Sequence, residues 1–333
     1  MDSNPSVDIC MCNGFVNEIS GQQRVMLPKS ETEELLDSKA ALKILFTPYR
    51  FFLWCKIYRA SIFSGVNFES ALYVGEDRII NWQLFNKARK IGIIPYKGYH
   101  YRMNPSGLSS KSYFECPYPY DLLKSAVKIY EDRGTDTDTK IVATNHLLDM
   151  SISWLFRFLV NDKISLNPKE IEYYLKFLEK NKNEILQTVA LEAERKILFE
   201  ALAQNFESAK ADCCKIYNDF LSDLKNFYDR YRNVFIYGTG YFGINISEIL
   251  NELGCKNYSF VVSSLNGKTS EETLIEGESQ PRTITALNEL AANPADTGII
   301  LAMNKKNSLQ VIPSLQEKGY KNIFDGNKLG LHL

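Results

Sequence analysis

The sequence predicts an α/β protein in three parts, and three observations predict it. Strand-like and helix-like runs are mixed over residues 1–113, and helical spacing dominates 114–232. Short apolar strands then alternate with helices over 233–333, where a glycine-rich turn joins a strand to a helix. That last pattern marks a Rossmann-like parallel sheet with helices on both faces.

In the first part, Val7, Ile9 and Met11 alternate as in a half-buried strand. Ser30-x-x-Glu33 reads as a capping box, opening a helix that carries Leu35, Leu36 and Ala40. An aromatic-rich stretch follows from Phe51 to Tyr58. Glu76-Asp77 precedes a second amphipathic helix with Ile80, Leu84 and Ala88. Ile93-Ile94 signals a strand leading to Tyr99-His100-Tyr101-Arg102, and Asn104-Pro105-Ser106-Gly107 reads as a turn.

In the middle part, Asn167-Pro168 is an N-cap followed by proline at the first helical position, with Ile171, Leu175 and Leu178 at helical spacing. The last helix carries Cys213, Tyr217, Phe220, Leu224, Phe227 and Tyr231 in alternating steps of four and three, the spacing of a coiled-coil seam. Such a seam packs either on its own domain or on a partner helix.

In the third part, Val234 to Tyr237 is a buried strand, Gly238-Thr239-Gly240-Tyr241-Phe242-Gly243 is the turn, and a helix runs from Ile244 to Leu253. Tyr258 to Val262 and Gly298 to Ala302 are further strands; a helix from Leu309 to Lys318 and a strand at Asn322-Ile323-Phe324 complete the pattern.

Composition excludes several classes. The 333 residues carry 39 Lys+Arg against 40 Asp+Glu, so no overall basic charge favours nucleic acid. An apolar fraction of 45% argues against disorder. The 7 Cys form no C-x-x-C pair and do not cluster with His100, His146 or His332, so no metal ligands are assigned. Cys10-Met11-Cys12 reads as buried thiols on a strand. The start is polar and acidic, unlike a secretory signal, and no apolar run is long enough for a membrane span. The chain reads as cytoplasmic.

Two motifs bear on chemistry. Gly238, Gly240 and Gly243 are the candidate cofactor-binding residues, because glycines there let backbone approach a phosphate at a helix N-terminus. The second strand, however, ends in Val262-Ser263-Ser264, where a dinucleotide site needs a carboxylate, and this disfavours NAD. A smaller phosphate- or nucleotide-bearing ligand, or a turn kept without one, remain open. Glu76-Asp77 alone is a cap using the helix dipole. Trp54, Lys56 and Tyr58 upstream, and His100 and Arg102 downstream, would make it a polar, aromatic-lined site if the chain brings them together. Aromatic faces suit sugar rings, cations suit phosphates, and a carboxylate can take a proton from a hydroxyl.

On these residues the chain, from about Val7 to Ser110, resembles the acceptor half of family 2 glycosyltransferases, which have the GT-A fold. The family order runs roughly as Trp-x-Lys-Leu-Tyr-Arg, Phe, Glu-Asp, a Tyr-x-Tyr-Arg segment and Ser, and this sequence offers Trp54, Lys56, Tyr58, Arg59, Phe68, Glu76-Asp77, Tyr99 to Arg102 and Ser109. The resemblance implies inverting transfer of a sugar from a nucleotide-diphosphate sugar to a cell-surface glycan. It implies Asp77 as general base supported by Glu76, and Trp54 and Tyr58 shaping the acceptor pocket. Lys56 joins these as a substrate contact, and His100 and Arg102 face the departing diphosphate.

In that family a nucleotide-binding half of about 100 residues comes first and ends in an Asp-x-Asp that holds Mg2+ or Mn2+ with the diphosphate. Here such a half would have to precede Val7. The expectation is therefore an N-terminally truncated, partial GT-A domain needing its donor half, with catalysis by this chain alone left open. The sole Asp-x-Asp, Asp136-Thr137-Asp138, reads as a solvated loop. The third part resembles the Rossmann-like domains appended to bacterial polysaccharide glycosyltransferases. Attachment to the inner membrane face would come through a partner. The alternative is a non-catalytic binding or scaffold protein in polysaccharide synthesis, acting through its helical and Rossmann-like parts as a homo-oligomer or with a helical partner.

Overall fold

The computed structural model describes residues 4–17, 23–25, 32–47, 50–68, 71–102, 120–161, 167–265, 269–273 and 281–328. The chain forms two compact units. The first holds residues 1–151 with 181–190, and the second holds 152–180 with 191–333. The turn expected at Asn104 to Gly107, with Ser109 and Cys116, lies outside the described residues.

The first unit contains β1 (Val7–Asn17), β2 (Gln23–Val25), β3 (Glu34–Asp37), α1 (Ser38–Leu45), β4 (Lys56–Tyr58), α2 (Glu76–Lys87), β5 (Lys90–Arg102), α3 (Asp121–Glu131) and α4 (Thr137–Met150). β1 runs parallel to β5 along its length, with β3 antiparallel on β5's other edge. β4 and β2 pair antiparallel with successive stretches of β1. Ile9 and Met11 of β1 and Ile91 and Ile93 of β5 turn to one face, where they meet Ala41, Leu42 and Leu45 of α1 and Ile80, Leu84 and Phe85 of α2. Cys10 and Cys12 alternate to the opposite face and are half-buried, so the expected burial of the whole Cys10-Met11-Cys12 run holds only for Met11.

Three local expectations are corrected here. The Ser30-x-x-Glu33 capping box opens no helix: Glu34–Asp37 is a strand paired with Lys90–Ile93. Helix α1 starts after it, with the Asp37 carboxylate accepting from Ala40 N–H at 2.8 Å. Within β3, Leu36 packs on the core while Leu35 is exposed, as a strand's alternation requires. Helix α2 is not amphipathic. Ile79, Ile80, Asn81 and Trp82 are buried in succession because α1 and α3 also pack on it, and Ala88 falls just past its end. Nor is Asp136-Thr137-Asp138 a solvated loop. Asp136 caps α4 by accepting from Thr139 N–H at 3.1 Å and pairs with Lys39 at 2.5 Å, while Asp138 pairs with Lys43 at 3.2 Å.

The second unit contains α5 (Phe156–Val160), α6 (Pro168–Thr188), α7 (Ala193–Leu202), α8 (Phe206–Arg230), β6 (Asn233–Tyr237), α9 (Tyr241–Glu252), β7 (Ser259–Val262), β8 (Ser270–Thr273), β9 (Arg282–Ala286), β10 (Thr297–Leu301), α10 (Lys305–Glu317) and β11 (Ile323–Asp325). The last residues of α6, from Asn181, count with the first unit. A π-helical turn, Ser151–Leu155, leads into α5.

Among the described residues the sheet order is β11-β10-β6-β7-β9-β8, all parallel except the edge strand β8. Numbered by the parallel strands alone, that is 5-4-1-2-3, a doubly wound order. Alternation divides the core cleanly. Val234, Ile236, Phe260 and Ile300 face α8 and α9, whereas Tyr237, Val261, Ile299 and Leu301 face Leu315 of α10. The sequence pattern showed neither β8 nor β9. The seam on α8 packs within its own unit: Phe220, Leu224, Phe227 and Tyr231 lie on the sheet, with Phe227 and Phe324 ring centroids 5.3 Å apart. That removes the observation on which a partner helix rested.

Candidate functional site

The first unit gathers Trp54, Lys56, Tyr58 and Asp77 around an irregular segment, Phe51 to Cys55. Side chains, and the backbone of β1, bond several of its backbone groups. Asn81 Nδ2 donates to Phe51 O at 2.8 Å, Lys56 Nζ donates to Phe52 O, and Asp77 Oδ2 accepts from Leu53 N–H at 3.3 Å. Tyr58 Oη reaches Leu53 O at 3.2 Å and Asn81 Oδ1 at 2.9 Å, and Cys12 N–H donates to Cys55 O at 2.9 Å. Asp77 and Asn81 stand one helical turn apart on α2, so one helix face holds both.

The start of α2 is fixed by Gly75, whose φ of +91° admits glycine readily. A Cβ there would also lie 2.9 Å from Ser125 Oγ on α3. Glu76 and Asp77 occupy the first turn, where the helix dipole favours negative charge. Burial nevertheless raises both carboxyls above their ordinary values; for Asp77 the Leu53 N–H, Lys56 and Arg78 oppose the rise. Asp77 and Asp121 push Glu76 further up. Burial lowers Lys56 to about 8, against the pull of Cys55 and Asp77, and it pushes the Tyr58 hydroxyl up. Lys56 and Asp77 thus stand near each other, partly desolvated, each charge favouring the other while burial opposes both. Asp77 uses only Oδ2 in its hydrogen bond, leaving Oδ1 to take a proton from a ligand hydroxyl.

Trp54 stacks on Phe52 (4.6 Å), Tyr99 (5.1 Å) and Tyr101 (5.0 Å). Alternation along β5 therefore turns Tyr99 and Tyr101 towards Trp54, while His100 and Arg102 are exposed on the strand's other face. His100 meets the Phe15 ring at 5.1 Å. No contact joins His100 or Arg102 to the Asp77 group among the described residues. Arg59 donates from Nε to Val7 O at 2.8 Å and lies 3.8 Å from Asp8, which places it in the framework of β1. Sequence reasoning missed Asn81, and it gave Tyr99 and Tyr101, within the matched segment, no role of their own. The i, i+4 spacing from Asp77 was the available signal for Asn81.

In the second unit the three glycines have separable surroundings. Gly238 has φ +111°, and a Cβ on Gly243 would lie 2.1 Å from Gly238 O, so helix α9 can approach the turn only with glycine there. Gly240 has nothing within 4 Å of where its Cβ would be, so its backbone is open to a ligand. Where a ribose-binding carboxylate would stand, the Ser263 and Tyr237 hydroxyls bond each other at 2.8 Å. Among the described residues no group of three or more His, Cys, Asp or Glu is placed to hold a metal. Likewise, no helix among them is long and apolar enough to cross a membrane. The chain matches no family model and no curated protein.

Proposed function

We propose that this chain is a glycosyltransferase of the family 2 kind, its first unit supplying the acceptor side of an inverting transfer. The observation that carries the reading is Asp77: a half-buried carboxylate with a raised proton affinity, one oxygen unbonded among the described residues, near Lys56 and bonded to the segment that carries Trp54. In the reaction, a glycan hydroxyl attacks the anomeric carbon of a nucleotide-diphosphate sugar. The new C–O bond forms as the bond to the diphosphate breaks, and the hydroxyl proton passes to Asp77 Oδ1. Lys56 steadies the Asp77 carboxylate, Tyr58 and Asn81 hold the Phe51–Cys55 segment, and Trp54 with Tyr99 and Tyr101 shapes the acceptor side. Glu76 keeps the first turn of α2 acidic. The Gly238–Gly243 turn serves this activity as an accessory, Rossmann-like phosphate contact.

The test is transfer by the purified chain from a panel of nucleotide-diphosphate sugars to saccharide acceptors, with saccharide binding followed by NMR. Asp77→Asn is expected to keep saccharide binding and lose transfer by about 100-fold or more, the scale of general-base loss. A chain that neither binds saccharides nor transfers sugar, or an unimpaired Asp77→Asn, overturns the reading.

A further inference from the structure

We propose that Cys12 and Cys55 form a reversible disulfide, a redox modification site built into the first sheet. The β1–β4 register pairs Met11 with Lys56 and so sets Cys12 opposite Cys55, and the Cys12 N–H···O=C Cys55 bond of 2.9 Å extends the ladder to them. Facing residues of an antiparallel ladder hold their Cα atoms about 4.5–5.5 Å apart. That is inside the range a disulfide accepts, about 4.4–6.8 Å. Both side chains lie on the sheet face away from the main core. They share a small apolar cluster with Val16, Trp54, Tyr99 and Tyr101.

A second observation concerns backbone conformation. Cys55 has φ +62°, the one positive φ at a non-glycine residue among those described. Glycine or asparagine takes that conformation more readily, so a cysteine there is held at a conformational cost. The other described cysteines do not share this geometry. Cys10 faces Ile57 across the ladder, and Cys213, Cys214 and Cys255 belong to the second unit.

The chemistry balances with hydrogen peroxide as oxidant. Half-buried Cys12 is the accessible thiol, and its sulfur attacks the peroxide: an S–O bond forms, the O–O bond breaks and water leaves. Cys55 sulfur then attacks Cys12 sulfur. The S–S bond forms, the S–O bond breaks, and the Cys55 proton departs with the oxygen as a second water. Burial holds the Cys55 thiol up to about 12, so this second step quickens as pH rises. The bridge would tie the Phe51–Cys55 segment, and Trp54 with it, to β1. In a reducing compartment it would be transient.

The experiment uses the full reduced chain, treated with hydrogen peroxide, capped with N-ethylmaleimide and peptide-mapped. The expected product is an intramolecular Cys12–Cys55 peptide lighter by two hydrogens. It should be reversed by dithiothreitol, absent in Cys12→Ala and retained in Cys10→Ser. Indole fluorescence should fall with bridge formation and recover on reduction, a change lost in Trp54→Phe. Recovery of Cys12 and Cys55 as capped thiols after the other cysteines have oxidised overturns the proposal. So does a bridge from Cys12 to another cysteine or another chain, or sulfinic acid at Cys12 without a bridge. The readout is covalent and independent of sugar transfer.

Discussion

Asp77 carries opposite consequences for stability and chemistry. Its carboxyl is raised by burial, so the folded chain binds a proton there more tightly than the unfolded chain. Ionising it therefore costs stability as pH rises from its ordinary value of 3.8 through the raised one. Asp77→Asn keeps an oxygen to accept from Leu53 N–H and removes the buried charge. It is expected to stabilise the chain by about 1 kcal/mol at neutral pH, a gain that vanishes below the carboxylate range; urea midpoints across pH measure it. His146 has the opposite sign. It is 2% exposed, stacked on Phe46 at 3.7 Å, with Nε2 unbonded. Burial, with Arg78 nearby, holds it well below its ordinary 6.5, so the unfolded chain takes the proton first. Stability is then full above pH 6.5 and falls as pH drops below it, and His146→Phe should flatten that fall in the same titration. Glu76-Asp77 was legible as a chemical pair from residue types alone. The Asn81, Tyr58 and Lys56 bonds to one loop were not, because they depend on how α2 and β4 meet.

The glycine turn between β6 and α9 shows what an element owes to its neighbours. A methyl at Gly243 meets Gly238 O at 2.1 Å, whereas a methyl at Gly240 meets nothing within 4 Å. Gly243→Ala is expected to cost about 3 kcal/mol by overpacking, and Gly240→Ala less than about 0.5 kcal/mol, both read by urea denaturation. A Gly240→Ala variant that unfolds as readily would mean that packing, not access, holds that position. The parallel strands here were legible because both faces of β6 and β10 are apolar and alternation could be checked against the helices. Strand β3 was not. Four residues, Glu34 to Asp37, become a strand because β5 offers them an edge, and their local capping signal belongs to the residue before α1.

At the scale of the whole chain, the division into units does not follow the order of the sequence. Residues 181–190 return to the first unit, where Glu184 pairs with Arg133 at 2.6 Å and Ile185 is fully buried. A fragment ending at residue 151 leaves that cover behind. It is expected to unfold at lower urea than the full chain by about 2–4 kcal/mol, the order of one deleted core side chain plus one charged hydrogen bond. An undiminished fragment would show that 181–190 adds nothing to the unit's stability.

The sequence by itself determined the α/β class, the helical middle, the parallel strands after residue 233 and the position of α2 behind its acidic pair. These follow from the periodicity of apolar side chains and from turn chemistry, which act over a few neighbouring residues. Tertiary structure decided which side chains meet. It set Cys12 opposite Cys55, turned Tyr99 and Tyr101 rather than His100 and Arg102 towards Trp54, and laid the α8 seam on its own sheet. Those outcomes depend on strand register and on which face of each element is covered, and a shift of one residue reverses them.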